Sequence, residues 1–361
     1  MGKHKEKISC SRNVLLENGE IIGISIIAAF LVSIVFVLSL GENPFAAYGS
    51  ILQAVGKKYG LAETVAKATP LIIISLGLAL AVRGGLSNLG GDGQFYMGAI
   101  ASICVGIYLP EGWPTMLVWL LALAAGAAAG GLWGALAGLL RARFNTSEVI
   151  ITIMLNYVAL YLVGYLVHGP LQAPGGIPQT RALAPALQFP KLIEGTRAHT
   201  GILIGLVAAL LVWFIFRRTT LGYRIQAVGE APKAAAYGGI NTKRYMIVIM
   251  GISGAFAGIA GMVEVYGVHY RVLEGITSSF GFTALLIALL ANLNPLGAIL
   301  GSLFISALTV GANSMQIDMN VPTSIVNVVQ SLIIFFMLVM PQIKADFIGR
   351  FKALRRKGEQ P

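Results

Sequence analysis

The sequence predicts an all-α polytopic membrane protein, with about ten transmembrane helices in two inverted halves. Three observations predict it. Of the 361 residues, 56% are hydrophobic and only 11% charged, where ordinary globular domains carry roughly 25% charged residues. Mean hydropathy is +0.78. The apolar residues fall into separate runs that approach the ~20 residues a helix needs to cross ~30 Å of hydrocarbon. The basic residues gather in alternate connections between those runs.

Residues 1–20 form a basic tail carrying Lys3, Lys5, Lys7 and Arg12. The first run, Ile21–Leu40, has the charge flank of a signal peptide. It continues without a small-residue cleavage site and so reads as an uncleaved span. Residues 41–63 are polar, with room for a short surface helix. The following runs are Val65–Val82, Phe95–Leu109, Thr115–Leu140, Val149–Val167, Gly201–Phe216, Tyr245–Val268, Phe280–Ala291, Pro295–Gln316 and Val321–Met340. The third and eighth are short. Together, residues 21–340 form one transmembrane domain, followed by a second basic tail at 341–361.

Charge orients this set. With the N-terminus in the cytoplasm, alternation places 19 of the 26 lysines and arginines on the inside. They lie in the two tails, at Arg83, at Arg141 and Arg143, and in the 217–244 connection. Such a bias favours both termini inside and an even number of spans. The segment from His168 to Thr200 falls outside and holds five prolines, which predicts an irregular extracytoplasmic loop. In this topology spans two to five and seven to ten have opposite orientation, an inverted repeat with its site near the midplane.

Gly126, Gly130, Gly134 and Gly138 recur every four residues. They form a ridge without side chains, which lets a second backbone approach. Gly254 with Gly258, and Gly297 with Gly301, repeat the spacing. These are packing surfaces.

Five glycines crowd into Arg83–Gly93. Irregular backbone at membrane depth is tolerated only where it is buried in protein or lines a cavity. The segment carries Asn88, Asp92 and Gln94, with Phe95 beside them. A buried path and a plain cytoplasmic loop ending in a helix cap at Asp92 both fit it. In span five, Thr146 or Ser147 suits the N-cap and Glu148 suits the positive helix end. Asn156 lies about two turns further in. A buried amide needs partners, and both an interhelical hydrogen bond and a place on a translocation path would supply them.

The 217–244 connection contains Gly229, Glu230, Pro232, Lys233, Ala234, Ala235 and Gly238. Pro232 suits a first helical turn, the alanines favour helix, and Gly238 ends it. The product is a short helix, either a structural loop or a knob for a groove on a cytoplasmic partner. No GxxxxGK[ST] loop occurs, the four histidines have no metal-ligand spacing, and no nucleophile–base set stands out. The chain is therefore expected to be non-catalytic, without cofactor or metal, and its charge points to membrane lipid, not nucleic acid. Asp92, Glu148, Glu264 and Asp318 fall near run ends, which counts against an ion-coupled secondary transporter.

Four segments resemble one family. Asn88-Leu-Gly-Gly-Asp-Gly-Gln94 is similar to the N-(I/L)-G-x-(E/D)-G-Q segment of ABC importer permeases for nucleosides and simple sugars, relatives of the branched-chain amino acid permeases. Glu148 to Tyr157 resembles their fifth helix, most closely in the nucleoside branch. Ala227 to Asn241 resembles their coupling helix, and Ala288 to Gly297 their second-half loop. Ser87, Glu230 and Asn292 depart from the family's usual Phe, Asn and Gly.

The resemblance implies a translocation subunit in a prokaryotic plasma membrane. Its partners would be cytoplasmic ABC ATPase subunits that use the ATP, a second permease chain (copy or paralogue), and an extracytoplasmic substrate-binding protein. Asn88, Gln94, Phe95, Asn156 and Tyr157 become candidates along the substrate path, because amides and rings suit a nucleoside. Gly229, Glu230, Pro232, Lys233, Ala234, Ala235 and Gly238 become the ATPase-coupling segment. A simple sugar such as ribose or galactose would use the same amides.

Overall fold

The structure, a computed structural model, describes residues 43–319 except Glu111 and Ser278, together with scattered positions between 23 and 41 and between 324 and 339. The first and tenth apolar runs therefore lie largely outside the described residues. Two compact units are distinguished, residues 1–57 with 307–361, and residues 58–306.

In the first unit, α1 (Pro44–Gly56) starts on a proline at its first turn. Asn43 caps it by accepting the Phe45 N–H at 2.9 Å. This is the short helix expected between the first two runs. Gly311 lies against Ile51 in the same unit.

The second unit is built of helices joined by irregular segments, with only isolated bridges and no strands among its described residues. Its helices are α2 (Lys58–Arg83), α3 (Gly91–Tyr108), α4 (Thr115–Phe144), α5 (Glu148–His168), α6 (Gly201–Arg218), α7 (Thr220–Glu230), α8 (Pro232–Tyr237), α9 (Thr242–Glu264) and α10 (Phe280–Leu290). A further helix, α11 (Pro295–Met319), starts here. Among the described residues, six helices are long and apolar enough to cross a membrane: α2, α4, α5, α6, α9 with the turn after it, and α11. The chain is a multi-pass membrane protein.

α2 and α9 form the core. From Thr69 to Ala81 every residue of α2 is buried, so this helix is apolar all round because helices surround it. The glycine ridge of α4 meets the ridge of α9. A methyl group on Gly130 would run into the Gly254 carbonyl oxygen, and one on Gly258 into that of Gly126. Contact this close replaces the hydrophobic drive that lipid does not supply between helices. Gly297 packs beside Ala291 and Gly301 beside Ile287, the same device at the α10–α11 turn.

The ends of the bundle differ in charge. Arg83, Arg141, Arg143, Arg217 and Arg218 close α2, α4 and α6 at one end. At the opposite end, residues 169–200 are irregular, as the prolines predict, yet firmly tied. Thr180, Leu183 and Phe189 donate their backbone N–H groups to the carbonyls of Val272, Tyr270 and Tyr266 at 2.8–3.0 Å. The Trp119 indole donates to the Leu187 carbonyl at 2.8 Å.

The start of α5 has Ser147 at the N-cap position and Glu148 in the first turn, as expected. The Ser147 side chain makes no capping bond. Glu148 pairs with Arg141 at 3.1 Å. Arg141 also donates to the Thr146 carbonyl at 2.7 Å. The ion pair is an addition to the helix-end position of Glu148, supplied by a cation at the end of α4.

Candidate functional site

The glycine-rich segment turns back into the bundle. α2 ends at Arg83, and Leu86 N–H closes the turn on the Ala81 carbonyl at 3.0 Å, with Gly85 in the left-handed region at φ 73°. Gly84 lies beside Ile249 of α9. Residues 86–90 then leave regular secondary structure and climb past Ser253, to which Asn88 bonds. α3 starts at Gly91, beside Ile74 of α2. Ile74 is nine residues before Arg83, about 13 Å along the helix. The segment thus folds back into the bundle, and is called re-entrant in that sense.

Irregular backbone at that depth needs partners for its N–H and C=O groups. Side chains supply them. Asn156 donates to the Leu89 carbonyl at 2.8 Å and accepts the Gly93 N–H at 2.8 Å. Thr152 accepts the Leu89 N–H at 3.2 Å. Asn156 thus acts as a surrogate strand, joining α5 to the segment and to the first turn of α3.

Asn88 is 0% exposed and fully satisfied. Its Nδ2 donates to Gln94 Oε1 and to Ser253 Oγ, both at 2.9 Å. Its Oδ1 accepts from Gln94 Nε2 at 3.1 Å and from Gly90 N–H at 2.9 Å. An amide has two donor hydrogens and two acceptor lone pairs, and here all four are used. The network links the re-entrant segment, α3 and α9. Phe95, also 0% exposed, sits edge-on to Tyr96 at 6.3 Å and to Phe280 at 5.9 Å.

Asn88, Gln94 and Phe95 are therefore buried together, and the half-buried Asn156 binds the same segment through Leu89 and Gly93. Tyr157 is not among them. Its ring is 53% exposed on α5. Ser253 and Thr152 complete the cluster, and sequence alone gives little reason to single out one hydroxyl in an apolar helix. Asp92 caps, as the sequence suggested, but on another helix. Its Oδ1 accepts the N–H of Gly281, at the start of α10, at 2.9 Å. A methyl group on Gly91 would stand 2.8 Å from the Gly281 Cα. The first turns of α3 and α10 thus touch.

At the arginine-rich end, α7 and α8 carry the proposed coupling residues. Pro232 opens α8 and Gly238 caps it, as expected. Glu230, Pro232, Lys233, Ala234 and Gly238 are exposed, and Ala235 is buried. Glu230, Ala234, Ala235 and Gly238 line an open groove of about 760 Å³, together with Arg224, Ala227, Arg244 and Tyr245. Gly229 faces inward. A methyl group there would strike the Arg83 carbonyl oxygen, and would lie 2.9 Å from Gly84 C and Gly85 N. The end of α7 thus rests on the turn that opens the re-entrant segment. Arg83 fixes that turn further, donating to the Leu293 carbonyl at 3.0 Å and stacking 4.2 Å above the Phe216 ring.

Comparison with known proteins shows the family. Over 320 residues the chain is 35% identical to the guanosine ABC transporter permease protein NupP of Bacillus subtilis (strain 168), covering 87% of this chain and 91% of that one. It is 34% identical to the nucleoside ABC transporter permease protein NupB of Lactococcus lactis subsp. cremoris (strain MG1363), over 93% of this chain and 96% of that one. It is 30% identical to the glucose ABC transporter permease protein TsgB13 of Haloferax volcanii, over 93% and 90%. No solved structure matches. Residues 60–338 match the family described as the branched-chain amino acid transport system / permease component, to which this chain belongs.

Proposed function

We propose that this permease is the transmembrane subunit of an ABC importer for nucleosides. The chain itself is non-catalytic, and ATP is bound and hydrolysed by separate cytoplasmic subunits. An extracytoplasmic binding protein delivers the solute, and a second permease chain, copy or paralogue, completes the pathway. The relatives that are permeases for guanosine and nucleosides support the substrate class. The glucose permease relative supports a simple sugar as the second reading.

In this proposal residues 21–340 are the transmembrane domain, with about ten spans in two inverted halves and basic tails at 1–20 and 341–361. Both termini and the 217–244 connection face the cytoplasm, and 168–200 face outward. The meeting of α3 and α10 at Gly91 and Gly281 supports the inverted plan, since half-helix tips converge near the midplane in such folds.

The observation that carries the mechanism is the seat of Gly229 on the Arg83–Gly85 turn. Motion imposed on Glu230, Pro232, Lys233, Ala234, Ala235 and Gly238 by an ATPase would reach that turn directly. The irregular segment would pass it on to Asn88, Gln94, Phe95 and Asn156, which close the path in this arrangement. Tyr157 belongs to the same reading as the exposed ring next to Asn156. The switch is then between two packed states, each biased by nucleotide and by the loaded binding protein.

Uptake into vesicles tests this. Guanosine should accumulate only when ATP and the co-expressed ATPase are present. Accumulation driven by an ion gradient alone would overturn the proposal. A thermal-shift screen of the cognate binding protein with nucleosides and sugars separates the two substrate classes.

A further inference from the structure

Glu264, the last residue of α9, is 5% exposed. A carboxyl group at such a place in an apolar bundle is costly and marks function by default. One oxygen is engaged, with Oε1 at 3.3 Å from Nε2 of His269. The other, Oε2, is wholly buried and has no hydrogen-bond partner among the described residues. The helix changes pitch immediately beyond it. Val265–His269 form one π-helical turn, closed by Tyr270 N–H on the Val265 carbonyl at 2.7 Å, with Tyr270 at φ 59°. Single π turns concentrate at functional sites, where they re-aim side chains. This turn is held in place from two sides. Lys191 donates to the Gly267 carbonyl at 2.7 Å, and the Tyr266 hydroxyl to the Ser102 carbonyl at 2.8 Å.

Position adds to this. Ser253, Ala257, Ala260 and Glu264 follow one another at helical spacing along α9. Ser253 is the residue that accepts from Asn88. Glu264 thus shares a helix face with the Asn88 cluster, eleven residues further from the arginine-rich end, or about 16 Å.

We propose that Glu264 is a substrate-contacting residue: its free Oε2, positioned by His269, accepts a hydrogen bond from a hydroxyl of the translocated solute before it reaches the Asn88 cluster. Carboxylate oxygens are strong acceptors for hydroxyl donors, roughly twice as strong as neutral ones. Both solute classes considered above present such hydroxyls, ribose in one case and the sugar itself in the other. The proposal rests on the importer reading.

The test uses the assembled transporter in proteoliposomes, with its binding protein saturated in turn by guanosine, 2′-deoxyguanosine and 3′-deoxyguanosine. Saturation removes the binding protein's own selectivity from the measured rate. Wild type should carry guanosine about ten-fold faster than at least one deoxy analogue. Glu264→Gln, which replaces the charged acceptor with a weaker neutral one, should bring the guanosine rate down toward that of this analogue. His269→Gln should narrow the same ratio, and it serves as the deciding variant if Glu264→Gln does not assemble. An unchanged ratio in the variant tested, or an equal loss for all three solutes, overturns the proposal. So does sodium-dependent uptake that Glu264→Gln abolishes, since that would make the carboxylate an ion site. If wild type carries no guanosine, it is the nucleoside reading that fails, and the same comparison is made with glucose and its monodeoxy analogues.

Discussion

Asp92 Oδ1 accepts the backbone N–H of Gly281 at 2.9 Å, across 189 residues of sequence. The contact joins the first turn of α3 to the first turn of α10. It predicts that Asp92→Ala lowers stability by about 1 kcal/mol, the usual cost of losing a helix cap. Asp92→Asn keeps the acceptor and should lose less. Thermal melting in detergent compares the two. Equal losses would show that charge, not the acceptor, matters here.

Asn88→Ala should be more damaging. It strands Gln94, Ser253 and the Gly90 N–H, all of which bond to Asn88. Leaving buried polar groups unpaired costs about 1–3 kcal/mol each, so a loss of roughly 3 kcal/mol or more is expected, and uptake should fall with it. Asn156→Ala should act similarly by freeing Leu89 and Gly93. A wild-type melting curve for Asn88→Ala would remove the cluster from the account.

Gly229→Ala places a methyl group against Arg83 and Gly84. The variant should assemble with its ATPase and still hydrolyse ATP. Uptake per ATP should drop about ten-fold or more, since ten-fold corresponds to only ~1.4 kcal/mol of misplacement. Parallel measurement of phosphate release and solute uptake checks this. Equal loss of both would point to failed assembly instead of failed transmission.

His199 supplies a pH dependence. It is 1% exposed, stacks on Phe189, and accepts the Gly201 N–H at 3.1 Å. Burial, helped by the nearby Lys191 charge, holds its imidazole down to about 4. The unfolded chain takes up a proton near pH 6.5 that the folded chain refuses. Its contribution is complete above pH 6.5 and is lost as pH falls toward 4, on the order of 3 kcal/mol in all. Melting temperature should decline over that window, and His199→Gln should flatten the decline.

Much of the candidate site was legible in the chain. The crowded glycines at 83–93, the amides Asn88 and Gln94, and Asn156 inside an apolar run each broke a local rule, and each sits in or beside the buried cluster. The glycine ridge of α4 announced a close helix contact by its spacing alone. Three things were not legible. Nothing local marks Ser253 as the partner of Asn88, because a hydroxyl in a helix is ordinarily satisfied by its own backbone. Asp92 was recognisable as a cap, but not as the cap of a helix 189 residues away. Glu148 was assigned to a helix dipole, and its pairing with Arg141 depends on how α4 and α5 turn about residues 145–147.

Composition and periodicity by themselves determined that this is a helical membrane protein, because in lipid the backbone must bond to itself, and continuous apolar runs near 20 residues suit helices, where barrel strands are shorter and alternate. They also determined where irregular backbone must be sheltered. Only the tertiary structure decided what shelters it. Asn156 and Thr152 come from one helix and Ser253 from another, and Gly229 arrives from a connection more than a hundred residues later. Pairings of that range are set by which helix faces pack together, and a single strand of sequence carries no record of its neighbours' angles.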